Sequence, residues 1–342
     1  MMRGLPRWLW CLAISLLWPG APVSAASVSE VHYVMGTYLT VTVDGMAAPI
    51  AHQQMRKCFA EVRRLDAIFS RYAADSELNR INAQSGQSAV VVSDDVARLL
   101  RLSLTLKDAS DGRFDVSIGA MTSPPLATAA SVRNAAGRVP AAVSLSPDPC
   151  SRAGGSCTST LRLDRHAQLD FDGIAKGYAV DRCAAILRGG GVGRALINFG
   201  ESSQYAIGAP HGQAGWPLEL RSLETGKTAA RLRLRDEALS VSSVMVERDG
   251  VVRSHIVDPR TGSRAASPAI VAVVADSGAV AEAWSKALLL PGNDAPGSHA
   301  PGTSGYRGAL RIRGRRIERL GRIDATIYRH PRLISPAAEV LR

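Results

Sequence analysis

One stretch constrains the fold more than any other: Leu169-Asp170-Phe171-Asp172-Gly173-Ile174-Ala175-Lys176-Gly177-Tyr178-Ala179-Val180-Asp181. Apolar and acidic residues alternate up to Gly173, a lysine–glycine pair follows, and a helical pattern runs from Tyr178 to Leu187. That order predicts a strand, a tight turn and a helix start. Glycines at such a corner let backbone approach a ligand, and a helix N-terminus offers free N–H groups to an anion. Lys176 adds a positive point charge at the same place. A carboxylate, backbone donors and a lysine together suit a phosphate-bearing ligand, with or without a metal ion. A plain strand–turn–helix corner with a solvated lysine fits the stretch equally well.

The surrounding pattern is mixed rather than strictly alternating. Val31 to Val43 reads as two short strands around Met35-Gly36-Thr37. Helical spacing follows from Pro49 to Phe69, in a short capped segment at Ser76–Asn82, and from Ser93 to Ser110. Later segments read as strands: Ala195–Phe199, Ser203–Gly208, Leu218–Leu220, Ala230–Leu234, Leu239–Val246 and Ile270–Val274. Ser254 to Gly262 reads as a strand running into a Pro/Gly turn, Ala279–Leu290 as an apolar helix, and Ala309–Leu320 as a hairpin around Gly314. The class is therefore α+β, with largely antiparallel sheets and packed helices. Residues 26–330 read as a single domain, with 123–160 a loop-rich insert and 331–342 a tail.

The N-terminus sets the expected compartment. Arg3 and Arg7 precede an apolar run from Trp8 to Trp18, Pro19 breaks it, and Val23-Ser24-Ala25 supplies small residues. This predicts a cleaved signal peptide over residues 1–25 and export to the periplasm. Cys11 has no lipobox around it, so no lipid anchor and no lasting membrane span are expected. The net charge of +11 suits an acidic partner. Export sets nucleic acid aside, and the basic run Leu310–Arg319 reads as a solvated strand face. The remaining cysteines are Cys58, Cys150, Cys157 and Cys183, an even count that permits disulfides. Cys150 and Cys157 bracket a flexible stretch that a bridge would close, while Cys58 and Cys183 fall in helical patterns and read as buried thiols.

Six motifs occur in one order along the chain: Met35-Gly36-Thr37; Ser70-x-Tyr72 with Ser76-Glu77-Leu78-x-Arg80-Ile81-Asn82; Gly112-x-Phe114-Asp115; Asp170 through Asp181; Asn198-x-Gly200; and His255-Ile256-x-Asp258-Pro259-x-Thr261-Gly262. Together they resemble the ApbE-type FAD:protein FMN transferase family. The resemblance implies an exported enzyme that cleaves FAD with Mg2+ and attaches FMN to a Ser or Thr hydroxyl in the flavinylation motif of an acceptor protein. Carried over by position, it implies FAD contacts from Met35, Tyr72, Arg113, Phe114, Asp115, Asp170, Lys176 and Ile256. Gly173 would lend a carbonyl to the metal, and His255 would be the general base. The chemistry agrees: a tyrosine ring stacks, a carboxylate accepts from ribose hydroxyls, a lysine neutralises phosphate, and a histidine takes a proton near neutral pH.

The chain departs from that family at its metal helix. Where the family has Ala-Asp-x-x-x-Thr, this chain has Ala281-Glu282-Ala283-Trp284-Ser285-Lys286. Glu282 can still coordinate, but a protonated Lys286 cannot, and the two are spaced to pair one turn apart. The family's Asn-x-Gly-Gly-Asp becomes Asn198-Phe199-Gly200-Glu201-Ser202, its Thr-Ser-Gly run becomes Ser242-Ser243-Val244, and Asp172 replaces a small residue. Two readings follow: a transferase with an altered metal site, or a relative that binds or hydrolyses FAD without flavinylating protein.

Overall fold

A computed structural model of the chain describes residues 27–122, 143–146, 159–165, 167–223, 225–246, 252–292 and 305–328. Its strands are β1 (Val28–Val34), β2 (Thr37–Val43), β3 (Val90–Val92), β4 (Val143–Leu145), β5 (Ser159–Leu163), β6 (Ala195–Phe199), β7 (Ser203–Ile207), β8 (Trp216–Arg221), β9 (Thr228–Leu234), β10 (Glu237–Val246), β11 (Val252–Arg253), β12 (Ala269–Ala275), β13 (Tyr306–Arg313), β14 (Arg316–Gly321) and β15 (Ala325–Ile327). Its helices are α1 (Ala48–Phe69), α2 (Glu77–Ala83), α3 (Asp94–Ala109), α4 (Gly119–Thr122), α5 (Ala175–Gly189) and α6 (Gly278–Ala287). The signal segment, the tail beyond residue 328, and Cys150 with Cys157 lie outside the described residues.

The main sheet runs β1-β2-β6-β7-β10-β12-β13-β14, with β11 beside β10, and its neighbours pair antiparallel. The architecture is α+β, as the element pattern indicated. β12 shows why its sequence is apolar at every position. Side chains alternate across a strand. Val271, Val273 and Ala275 join a core with α1, α5 and α6, while Ile270, Ala272 and Val274 join a second core under the β15-β9-β8 sheet. The strands read at Leu218–Leu220 and Ala230–Leu234 thus belong to that smaller sheet, and only Leu239–Val246 belongs to the main one. A third sheet, β3-β5-β4, places Val143–Leu145 and Ser159–Thr160 in strands, so the expected loop-rich insert contains regular structure at its described residues. The hairpin β13–β14 bears exposed Arg313, Arg315, Arg316 and Arg319, as a solvated face should, but Arg311 is buried and donates to the Leu288 carbonyl.

α1 and α5 are joined covalently. Cys58 and Cys183 form a disulfide with Cα atoms 4.9 Å apart, within the usual range. This corrects the reading of two buried thiols: helical periodicity showed that both face a core, not that they face each other.

α5 and α6 cross at glycines. A Cβ on Gly177 would lie 2.3 Å from the Gly278 carbonyl oxygen, so only glycine allows this approach. The crossing lets each helix cap the other. Asp181 on α5 accepts from Gly278 N at 2.6 Å, Ala279 N at 3.1 Å and Ser277 Oγ at 2.7 Å. Glu282 on α6 accepts from Gly177 N at 2.5 Å in return. Each carboxylate sits where the partner helix presents unpaired N–H groups and its positive dipole end.

Candidate functional site

The corner ahead of α5 is not a strand. Only Gln168 bridges, to Ile118, and Leu169–Asp172 has no ladder partner. Side chains take the ladder's place: the Asn82 amide accepts from Leu169 N at 2.7 Å and donates to the Leu169 carbonyl at 2.9 Å. Asp170 then organises the turn. Its buried carboxylate receives Arg71 Nη1 at 2.6 Å, Thr122 Oγ1 at 2.5 Å and Asp172 N at 2.9 Å. Alternating apolar and acidic residues looked like a strand because the apolar positions Leu169 and Phe171 are indeed buried.

Beside this corner opens a cavity of about 330 Å3. Arg71, Tyr72, Thr122, Asp170, Asp172 and Gly173 form one wall. Arg113, Phe114 and Asp115 form a second, and His255, Ile256, Pro259, Arg264 and Lys286 a third. A second hollow of about 580 Å3 shares Arg71, Tyr72 and Asp170 with it and continues over Asn79, Asn82 and Gln168. The two make an elongated cleft whose size suits an extended ligand. A larger hollow, about 990 Å3, lies elsewhere, between β9 and β14, and none of the sequence-predicted residues lines it.

Each wall is held by a recognisable device. Asp115 is locked by Lys107 Nζ at 2.7 Å and by the Ser117 N–H and hydroxyl at 2.8 and 2.7 Å. The His255 segment is not a strand but a looped bridge, Val257 to Arg264. Asp258 closes that loop: its carbonyl accepts from Gly262 N at 2.8 Å, and its carboxylate takes Arg260 Nη2 at 2.6 Å. The proline and glycine of the motif terminate the run too early for ladder pairing. Tyr72 is 81% exposed at the rim, with the Arg71 guanidinium 5.7 Å from its ring centroid, and such a ring can stack on a flat ligand. Partial burial, then the charges of Lys286, Lys176 and Arg264, hold the His255 imidazole below its ordinary value of 6.5, so it is the neutral base near pH 7.

Behind the cavity, Glu282 is 1% exposed and binds two ammonium groups. Lys286 Nζ lies 3.2 Å and Lys176 Nζ 3.4 Å from its Oε1. Burial alone pushes Glu282 up, but the two lysines and the Gly177 N–H outweigh it and hold the carboxylate below the usual range. The Glu282 charge raises Lys176, while burial lowers Lys286.

Residues 35–300 match the ApbE family. The chain belongs to the ApbE family. Among its relatives, the FAD:protein FMN transferase of Rhodobacter capsulatus is 31% identical over 84% of this chain, and that of Treponema pallidum is 28% identical over 71%. The chain spans 56% of the length of the first and 72% of the second. The crystal structure of the ApbE protein from Thermotoga maritima shares the fold, with a TM-score of 0.70 at 20% identity over 86% of this chain and 97% of that one.

For an ApbE protein, the expected residues gather in part. Tyr72, Arg113, Phe114, Asp115, Asp170, Gly173, His255 and Ile256 all line the cavity. Met35 does not. It occupies the β1–β2 turn with Gly36, at φ of 47° and 75°, and its N–H donates to Asp66 at 3.3 Å. That turn packs on the Asn198-x-Gly200 motif, where a Cβ on Gly200 would lie 2.7 Å from Thr37 Oγ1. Two of the motifs therefore meet as a structural joint. Lys176 also stands outside the cavity lining, turned to Glu282. Its helix N-terminus, expected to bind a ligand's phosphate, already holds the protein's own carboxylate through Gly177 N.

Arg71, Thr122 and Arg264 were missed by the sequence reading. Arg71 stood at the unassigned position of Ser70-x-Tyr72, and no spacing rule brings Thr122 or Arg264 to Asp170 or His255.

The residues at the expected metal position do not fit a divalent cation. Mg2+ demands oxygen ligands at about 2.0–2.1 Å. Glu282 Oε1 is taken by two ammoniums and Oε2 by Gly177 N–H. The stem of Lys286 fills the space beside Gly173, where a Cβ would meet Lys286 Cδ at 3.5 Å. In this structure Glu282 serves as a helix cap, and the stem of Lys286 stands beside Gly173.

Asp172 provides a test of the corner. Burial and the Asp170 charge push its carboxyl up from 3.8 to about 6. An acid whose folded pKa is raised costs nothing below its unfolded pKa and destabilises as pH rises through the folded one. Asp172→Asn is therefore expected to stabilise at pH 8 and to be neutral at pH 4. Its side chain is 51% exposed, so screening keeps the gain under about 1 kcal/mol. Thermal melts at the two pH values check this, and an equal shift at both would contradict it.

Proposed function

We propose that this protein is an FAD:protein FMN transferase acting on a Ser or Thr hydroxyl in the flavinylation motif of an exported or membrane protein. The observation that carries the reading is the placement of His255 in one cavity with Tyr72, Asp170 and Lys286. A ring for stacking, a basic wall for phosphate and a neutral imidazole then face one space.

In the proposed step, His255 takes the proton of the acceptor hydroxyl. The hydroxyl oxygen bonds to the phosphorus of the FMN half. The P–O bond to the AMP phosphate breaks, and AMP leaves with the bonding pair. Asp170 and Arg71 keep the wall in position, and Tyr72 covers the flat part of FAD. The family resemblance implies magnesium in this step, and Glu282, engaged by two ammonium groups and the Gly177 N–H, offers it no free oxygen.

The N-terminal charge and apolar run support a periplasmic location. Among the described residues, no helix is long and apolar enough to cross a membrane. The second reading, FAD binding or hydrolysis without transfer, is favoured by the altered α6. Incubation with FAD and an acceptor peptide bearing a single flavinylation threonine separates the two. The transferase reading expects an FMN-sized mass gain on the peptide, absent when that threonine is alanine. Free FMN and AMP with an unmodified peptide would establish the hydrolase instead.

A further inference from the structure

Glu282, Lys176 and Lys286 form a charged group of which Lys286 alone lines the cavity. The carboxylate balances one ammonium and leaves one net positive charge. Lys286 brings that charge to the cavity wall, beside Gly173, Asp172 and His255. Its position is fixed from behind. Ser285 on α6 bonds Ser242 Oγ at 2.7 Å and Ser240 Oγ at 3.1 Å on β10, and donates to the Glu282 carbonyl at 2.9 Å. Lys286 Nζ also donates to that carbonyl at 3.3 Å. The ammonium is thus anchored on a rigid, buried element rather than on a loop.

We infer that Lys286, backed by Glu282 and Lys176, is the cation that neutralises the FAD pyrophosphate, in the place a divalent metal ion would take. The inference rests on the proposed function for the identity of the phosphate ligand. A lysine ammonium is a compact point charge with three donors, suited to phosphate oxygens. Glu282 holds that ammonium from behind through its Oε1 and its carbonyl, which leaves one N–H for a ligand and keeps the trio net positive. Lys176, on the far side, supplies the second positive charge that keeps Glu282 from cancelling Lys286. A divalent ion on Glu282 would have to displace both ammoniums from Oε1 and remain beside them. The protein therefore carries its phosphate counter-charge in its own chain, and FAD binding is expected to be indifferent to magnesium.

Quenching of flavin fluorescence on titrating FAD into the purified protein tests this, once in EDTA and once in magnesium chloride. The wild-type Kd is expected to agree within about twofold between the two. Lys286→Thr, checked for folding by circular dichroism, is expected to bind FAD about tenfold to a hundredfold more weakly in EDTA and to regain affinity with magnesium. Wild-type binding that needs magnesium, or a Lys286→Thr protein that binds like wild type in EDTA, would overturn the inference. AMP release in the same samples separates the two claims. Release that requires magnesium overturns the inference and leaves the transferase standing. Magnesium-independent binding without any cleavage does the reverse.

Discussion

The His255→Asn variant is expected to lose FMN transfer by about 10²–10⁴-fold while binding FAD as tightly as wild type. The range is that of a positioned general base, and the split between turnover and binding is the diagnostic part. His255 stands on the loop closed by Asp258, outside any helix or strand and exposed. Its replacement therefore leaves the cavity walls in place. The pH dependence follows from the same surroundings. Partial burial and the positive charges of Lys286, Lys176 and Arg264 favour the neutral imidazole, so its folded value lies below 6.5. Transfer by wild type is expected to be level at neutral pH and to fall with unit slope only on the acid side of that value. A variant that keeps its rate, or a wild-type rate still rising above pH 7, would remove His255 from the proton transfer. Single-turnover kinetics across that range make the comparison.

Glu282→Ala is expected to cost about 3–5 kcal/mol of stability, because removing one member of a buried ion group leaves the others uncompensated. Here two ammoniums lose their shared acceptor, and the Gly177 N–H loses its cap. Glu282→Gln keeps an oxygen for Gly177 and is expected to cost less. Urea denaturation at neutral pH measures both. A Glu282→Ala protein as stable as wild type would mean that this carboxylate is not the joint between α5 and α6.

The sequence disclosed different levels of this structure unequally. Helix α1 was legible because Met55, Phe59, Val62 and Leu65 repeat at helical spacing and are all buried. β12 was legible because Ile270 to Val274 is β-branched or small throughout. The corner at Leu169–Asp172 was misread, since its backbone bonds to the Asn82 side chain and to Val116, neither of which periodicity can reveal. The Ser254–Gly262 strand was misread for the opposite reason: a β-rich run was interrupted by a loop closing on itself through Asp258. At the site, residues inside the quoted motifs were found, among them Tyr72, Asp115, Asp170 and His255. Arg71 and Thr122 were not, because they act by converging on Asp170 from segments 99 and 48 residues away. The departure at Lys286 was visible in the sequence, but its consequence was not. Spacing gave the pairing with Glu282, while the claim of Lys176 and Gly177 on the same carboxylate comes only from the helix crossing.

The central claim is that the cleft between Tyr72 and His255 is where FAD binds, with its pyrophosphate against the Lys286 wall. A crystal structure of the protein soaked with FAD tests it most directly. The account predicts the flavin ring against Tyr72 and the phosphates between His255 and Lys286, with no metal ion on Glu282. FAD bound outside the cleft, such as in the arginine-lined hollow between β9 and β14, would contradict it.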